Sequence, residues 1–105
     1  MGLKILIVDD EKAVRSAVQK LLGTRAGWTV VGEAIDGSEA VAKARELQPD
    51  VVIMDLTMPQ MNGLEATPEI KKVLPTAEVL IFTQHDSPQV LREAEKALFR
   101  YGRTC

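Results

Sequence analysis

The 105-residue chain is predicted to form one α/β domain with a doubly wound parallel sheet. Short apolar segments rich in Val and Ile, typical of strands buried on both faces, alternate with longer segments whose apolar residues recur at helical spacing. This order, βαβαβαβα, places helices on both faces of a parallel sheet. The length is close to the commonest size of a single domain, so residues 1–105 are expected to form one unit.

The first three predicted elements follow directly from these patterns. Leu3–Val8 is a short apolar run and is predicted to be a strand. Apolar residues then recur at helical spacing from Ala13 to Leu22, and Gly23 is expected to end that helix. Trp28–Ala34 is predicted to be the second strand.

The second helix is expected to begin at the turn Asp36-Gly37-Ser38 and to end before Pro49-Asp50. Val51–Met54 is the third strand. The segment Leu64–Leu74 has a helical composition but contains Pro68. Because proline inside a helix costs about 3 kcal/mol, we expect either a helix that starts late, at Thr67, or a kinked helix.

The fourth strand is predicted over Val79–Phe82, and Ser87-Pro88 is expected to cap a last helix.

The composition argues against two classes of function. A formal net charge of −2 does not suit a general nucleic-acid surface, and no apolar run approaches the roughly 18 residues of a membrane helix. The single cysteine, Cys105, is typical of a reducing compartment, so we predict a cytoplasmic chain.

Polar side chains follow the ends of three strands. Asp9 and Asp10 follow the first strand, Asp55 the third and Thr83 the fourth. In doubly wound sheets ligands bind at the carboxyl ends of the strands. Carboxylates brought together there repel one another unless a cation lies among them, and Mg²⁺ prefers carboxylate, water and phosphate oxygens. The pattern predicts a Mg²⁺ site that receives a phosphoryl group, where a carboxylate can attack phosphorus and Thr83 can donate a hydrogen bond.

Each of these residues also has a purely structural interpretation. Asp9 or Asp10 can cap the first helix, and Thr83 can be an ordinary strand end. Their coincidence at one edge of the sheet favours the functional interpretation.

The sequence resembles the receiver domain of bacterial two-component response regulators over about residues 3–94. Details around Gly63–Thr67 and Thr83–Asp86 resemble the subfamily with a C-terminal helix-turn-helix output domain. The resemblance implies a flavodoxin-like fold with strand order 2-1-3-4-5. The matching stretches are Ile5–Asp10, Pro49–Pro59, Met61–Ala66 and Val79–Thr83.

The resemblance also implies a role for each site residue. Asp55 would accept a phosphoryl group from the phosphohistidine of a sensor histidine kinase, and Thr83 would be the switch hydroxyl that turns towards it. The implied Mg²⁺ ligands are Asp9, Asp10, Asp55 and the backbone carbonyl of Thr57.

The C-terminal part departs from the family pattern. The family continues through a fifth strand, which carries a lysine, and a fifth helix, whereas Phe99–Cys105 does not match that strand. We therefore expect a truncated receiver domain with strand order 2-1-3-4, in which the fifth strand and helix are missing or replaced. An exposed edge on the fourth strand would favour a homodimer, through that edge or through a C-terminal swap.

The function predicted first is a phosphoacceptor signalling domain, which is not an enzyme although it can catalyse its own phosphorylation and dephosphorylation. The alternative is a switch-dead interaction module, a scaffold or decoy that keeps the fold. A phosphohydrolase of the haloacid-dehalogenase type is disfavoured because Thr57 stands where its second aspartate is required. Direct DNA binding would need an output domain outside this sequence.

Overall fold

A computed structural model describes residues 2–56, 58 and 61–82 as a layered α/β structure. Four strands and three helices alternate along this part of the chain. The strands are β1 (Leu3–Val8), β2 (Trp28–Ala34), β3 (Val51–Asp55) and β4 (Glu78–Phe82). The helices are α1 (Lys12–Leu22), α2 (Gly37–Leu47) and α3 (Gly63–Val73).

All four strands are parallel, in the order β2-β1-β3-β4. The predicted flavodoxin-like arrangement, 2-1-3-4, is therefore confirmed for the described strands. The order reverses between β1 and β3, whose neighbouring carboxyl ends form the crevice where doubly wound folds bind ligands. Residues 83–105 lie outside the described ranges. They include the predicted last helix with its Ser87-Pro88 cap and the segment predicted to replace or lack the fifth strand beside β4.

The core has two halves, one on each face of the sheet. Successive strand residues point to opposite faces, so the odd-numbered residues of β1 and β3 face α1 and the even-numbered ones face α2 and α3. Full burial of one such aliphatic side chain contributes about 1.5–3 kcal/mol. The half beneath α1 contains Leu3, Ile5, Ile7, Val18, Leu22, Val51 and Ile53. The other half contains Leu6, Val8, Ala34, Ala40, Ala44, Val52, Met54, Met58, Ala66 and Ile70.

Helix α2 begins where the turn residues predict. The Asp36 side chain accepts a hydrogen bond of 2.8 Å from the backbone N–H of Glu39, which satisfies one of the unpaired donors of the first turn. The Glu39 side chain in turn accepts from the backbone N–H of Ile35. The helix ends at Leu47, followed by Gln48 in the left-handed conformation with φ of 50°.

Of the two alternatives predicted for the third helix, a late start at Thr67 or a kinked helix, the late start is wrong. Helix α3 begins at Gly63 because Asn62 and Glu65 form a capping box, each side chain accepting from the other's backbone N–H. The helix continues through Pro68, which lies at an exposed position. Proline removes the backbone donor that would reach the carbonyl of Leu64, a loss confined to one helical hydrogen bond.

None of the helices in the described part of the chain combines the length and the apolar character that a bilayer-spanning segment needs.

Candidate metal centre

Three carboxylates meet at the carboxyl edge of the sheet. Asp9, Asp10 and Asp55 each place an oxygen within 4.8 Å of those of the other two. Asp9 and Asp55 are 6% and 4% exposed, whereas Asp10 is exposed to solvent. The sequence predicted that these three residues would lie together, and the structure brings them together.

The parallel pairing of β1 and β3 accounts for this convergence. Val8 lies opposite Met54 in the register, so the residues that follow them, Asp9 and Asp55, lie side by side at the carboxyl edge of the sheet. The backbone N–H of Asp9 continues the ladder by donating to the carbonyl of Ala34 at the end of β2. The site is therefore built on the ends of three neighbouring strands.

The interpretation of Asp9 or Asp10 as the N-cap of α1 is wrong, because Glu11 occupies that position. The Asp9 side chain instead makes a hydrogen bond within the turn before the helix. Its Oδ1 accepts a hydrogen bond of 2.8 Å from the backbone N–H of Glu11. Glu11 occupies the N-cap position of α1 and makes no side-chain cap bond, so Asp9 supplies the acceptor just before the helix. This one hydrogen bond closes an Asx turn before α1 and also orients the Asp9 carboxylate.

The donor set fits a Mg²⁺ ion. Mg²⁺ takes oxygen ligands at about 2.0–2.1 Å, so two oxygens on opposite sides of one ion lie about 4.2 Å apart. The three carboxylate oxygens already lie within 4.8 Å of one another, so a small movement would let them share an ion. Two of these acids are buried, and a divalent cation offsets the repulsion between buried carboxylates.

Two predicted site residues cannot be placed. Thr57, whose backbone carbonyl is a predicted ligand, and Thr83, the predicted switch hydroxyl, both lie outside the described residues. The neighbouring backbone is described: Asp55 is paired in register with Phe82, the residue immediately before Thr83.

Two glycines hold the ends of the β3–α3 connection close to the site. The backbone N–H of Gly63 donates to the carbonyl of Leu56 at 3.0 Å, and a Cβ on Gly63 would lie 2.9 Å from the Asp55 carbonyl oxygen. The backbone N–H of Gly37 donates to the carbonyl of Met61 at 2.8 Å. Sequence reasoning missed the contact between Gly37 and Met61, because no local pattern shows which loops will touch.

A second pair of residues was also missed. Arg15, on α1, donates from Nη1 to the backbone carbonyl of Asp9 and from Nε to Glu33 on β2. In the sequence Arg15 is one of several polar residues of an amphipathic helix, and nothing marks it as a neighbour of the acidic site.

Comparison with known proteins decides the family. The response regulator receiver domain model matches residues 5–100. The chain belongs to the response regulator receiver domain family. The family predicted from the sequence is thereby confirmed.

Individual relatives agree with this assignment. The chain is 44% identical over 97 residues to the chemotaxis protein CheY of Thermotoga maritima, covering 92% of this chain and 80% of CheY. It is 43% identical over 102 residues to the response regulator VraR of Staphylococcus aureus, covering 96% of this chain. That match spans 49% of VraR, about half the length of the relative.

A solved structure supports the fold independently. The response regulator domain of Thermotoga maritima CheB superposes with a TM-score of 0.82 at 30% sequence identity, covering 95% of this chain and 96% of that domain. The receiver domain family implies phosphorylation and Mg²⁺ as the chemistry of its acidic pocket.

Proposed function

We propose that this receiver domain accepts a phosphoryl group on Asp55 from the phosphohistidine of a sensor histidine kinase. The observation that carries the proposal is the convergence of the oxygens of Asp9, Asp10 and Asp55 within 4.8 Å at the carboxyl edge of the sheet. Membership of the receiver family supports it.

The proposed step is a phosphoryl transfer between two side chains. A carboxylate oxygen of Asp55 forms a bond to phosphorus while the bond between phosphorus and the imidazole nitrogen breaks. The imidazole keeps the electron pair of that bond, and Asp55 becomes an acyl phosphate. The domain changes only its own side chain and turns over no separate substrate, so it is not an enzyme in the usual sense.

The chain's own residues prepare this step. Burial of Asp55 at the end of β3 limits the orientations of the nucleophile. Asp9 and Asp10 would hold Mg²⁺ together with Asp55, and the bound ion would supply positive charge against the charge that develops on the phosphoryl oxygens. The backbone carbonyl of Thr57 and the hydroxyl of Thr83 complete the proposed set. We propose a cytoplasmic location, because the chain would receive its phosphoryl group from the kinase partner there.

The test is an intact-mass measurement after incubation with Mg²⁺ and acetyl phosphate. We expect the wild-type chain to gain one phosphoryl group and the Asp55→Asn variant to gain none. Asp50→Asn is the matched control, because Asp50 precedes the same strand at the opposite edge of the sheet, where its side chain accepts from the backbone N–H of Lys4. The control is expected to be phosphorylated like the wild type.

Circular dichroism of each variant shows whether it is folded. A folded wild-type chain without an adduct would overturn the proposal and favour the scaffold or decoy function. An adduct on Asp55→Asn would show that another residue is the acceptor.

A further inference from the structure

Arg15 links Asp9, a residue of the acidic site, to Glu33 on strand β2. Its Nη1 donates to the backbone carbonyl oxygen of Asp9 at 2.7 Å, and its Nε donates to Oε1 of Glu33 at 2.8 Å. The Arg15 side chain is only 13% exposed, whereas that of Glu33 is 39% exposed. A planar guanidinium can hold both acceptors at once because its donors form a rigid fork.

A β-bulge aims Glu33 at this guanidinium. Ile5 pairs with Val30 but Leu6 pairs with Gly32, so one residue of β2, Val31, has no partner on β1. Val30 packs on the face covered by α1, and strict alternation would direct Glu33 to the opposite face. The extra residue reverses the alternation and places Glu33 on the α1 face, and bulges beside functional sites often re-aim a side chain in this way.

Asp9 is consequently held at three points. Its backbone N–H donates to Ala34, its backbone carbonyl accepts from Arg15, and its carboxylate accepts from the backbone N–H of Glu11. These contacts restrict the main chain on both sides of the side chain. They therefore set the direction of the Asp9 carboxylate before any ion binds.

Orientation matters more for Mg²⁺ than for other hard cations. Mg²⁺ demands near-ideal octahedral geometry, whereas Ca²⁺ accepts irregular ligand arrangements and longer distances. Residues that orient metal ligands typically change metal affinity by about 10–100-fold when they are mutated.

We propose that Arg15, held in place by Glu33, is a positioning residue that fixes Asp9 and thereby gives the acidic site its affinity and preference for Mg²⁺. This inference rests on the proposed function of the same site. The positive charge of Arg15 acts in the opposite direction, because it repels an approaching cation. The sign of the effect of its removal therefore distinguishes positioning from charge.

The experiment measures the dissociation constants of Mg²⁺ and Ca²⁺ by isothermal titration calorimetry for the 105-residue chain and its variants. We expect Arg15→Gln and Arg15→Lys to weaken Mg²⁺ binding about tenfold and Ca²⁺ binding less. Lysine keeps the charge but has no fork to span both acceptors, so it is not expected to rescue the affinity.

Arg45→Gln and Arg45→Lys are the matched controls. Arg45 is an exposed residue in the last turn of α2, at the end of the helix away from the acidic site. These variants carry the same substitutions as the Arg15 variants, and both dissociation constants are expected to stay at the wild-type values.

Three outcomes would overturn the inference. They are unchanged Mg²⁺ affinity in the Arg15 variants, tighter binding in Arg15→Gln, and an equal fold-change for both ions. A wild-type chain that binds no Mg²⁺ would overturn the proposed function as well, which separates the two failures. If circular dichroism shows Arg15→Gln unfolded, Glu33→Met tests the same contact from its other end, because methionine has a similar length but no oxygen to accept from Arg15. Wild-type Mg²⁺ affinity in Glu33→Met would overturn the inference.

Discussion

Replacing Asp55 by asparagine is expected to stabilise the metal-free chain and to reduce its response to Mg²⁺. Asp55 is 4% exposed and its carboxylate lies within 4.8 Å of oxygens from Asp9 and Asp10. Without a cation, three negative charges are held close together. Asparagine has nearly the same shape and removes one of them.

The magnitude follows from the distances. Two unit charges 4.8 Å apart repel by about 0.9 kcal/mol at the dielectric constant of water and by about 3.5 kcal/mol at an effective value of ~20. The buried pair formed by Asp9 and Asp55 is closer to the second case, and Asp10, which is exposed, is closer to the first. Losing a charged hydrogen-bond acceptor offsets part of the gain, by about 1.5–3 kcal/mol. The net stabilisation is then about 1–3 kcal/mol.

The assay is thermal unfolding followed by circular dichroism, with a chelator and then with increasing Mg²⁺. At ~4 °C for each kcal/mol, the expected rise in Tm for Asp55→Asn without metal is roughly 4–12 °C. At a Mg²⁺ concentration about 100 times the dissociation constant, the wild-type chain gains about 2.7 kcal/mol from binding and approaches the variant. Asp50→Asn lies outside the acidic cluster and serves as the control, with no such stabilisation expected.

Two results would refute this reasoning. If Asp55→Asn is less stable than the wild type in chelator, repulsion among the three carboxylates is weaker than the interactions that the Asp55 carboxylate makes in the folded chain. If Mg²⁺ raises the Tm of both proteins by the same amount, Asp55 is not a ligand of the ion.

Two further predictions concern the elements that frame the site. Pro68→Ala should raise the stability by about 2 kcal/mol, because it restores a backbone donor to the carbonyl of Leu64 at the cost of some unfolded-state entropy. Urea denaturation measures this, and an unchanged midpoint would show that α3 accommodates proline without cost. Gly37→Ala should destabilise the chain by about 1–3 kcal/mol, because its Cβ would lie 2.2 Å from the carbonyl oxygen of Met61. Gly23→Ala is the control, with its closest contact at 3.2 Å, and equal urea midpoints for the two variants would contradict the argument.

Local patterns in the sequence were sufficient for most of the secondary structure. Strands buried on both faces read as apolar runs, so β1 and β3 could be bounded closely from composition alone. The acids that follow those strands could be assigned to one edge because parallel strands end together. Convergence of Asp9, Asp10 and Asp55 was therefore predictable from the order of elements.

Helix α3 starts at its cap and not at the late position that Pro68 indicates. Asn62 and Glu65 stand three residues apart, which is the local signature of a capping box and a stronger indicator of this helix start than Pro68. The helix begins at its cap because two backbone donors are satisfied there, and the proline removes only one later bond.

The contacts that hold the site depended on the tertiary structure. Arg15 and Glu33 are 18 positions apart, and they meet only because α1 packs over β2 and a bulge turns Glu33 towards that helix. Gly37 and Met61 meet only because the first residue of α2 packs against the segment that precedes α3. Sequence periodicity reports which face of its own element a residue occupies. Which side chain lies opposite is decided by strand register and packing, which form only when the whole sheet assembles.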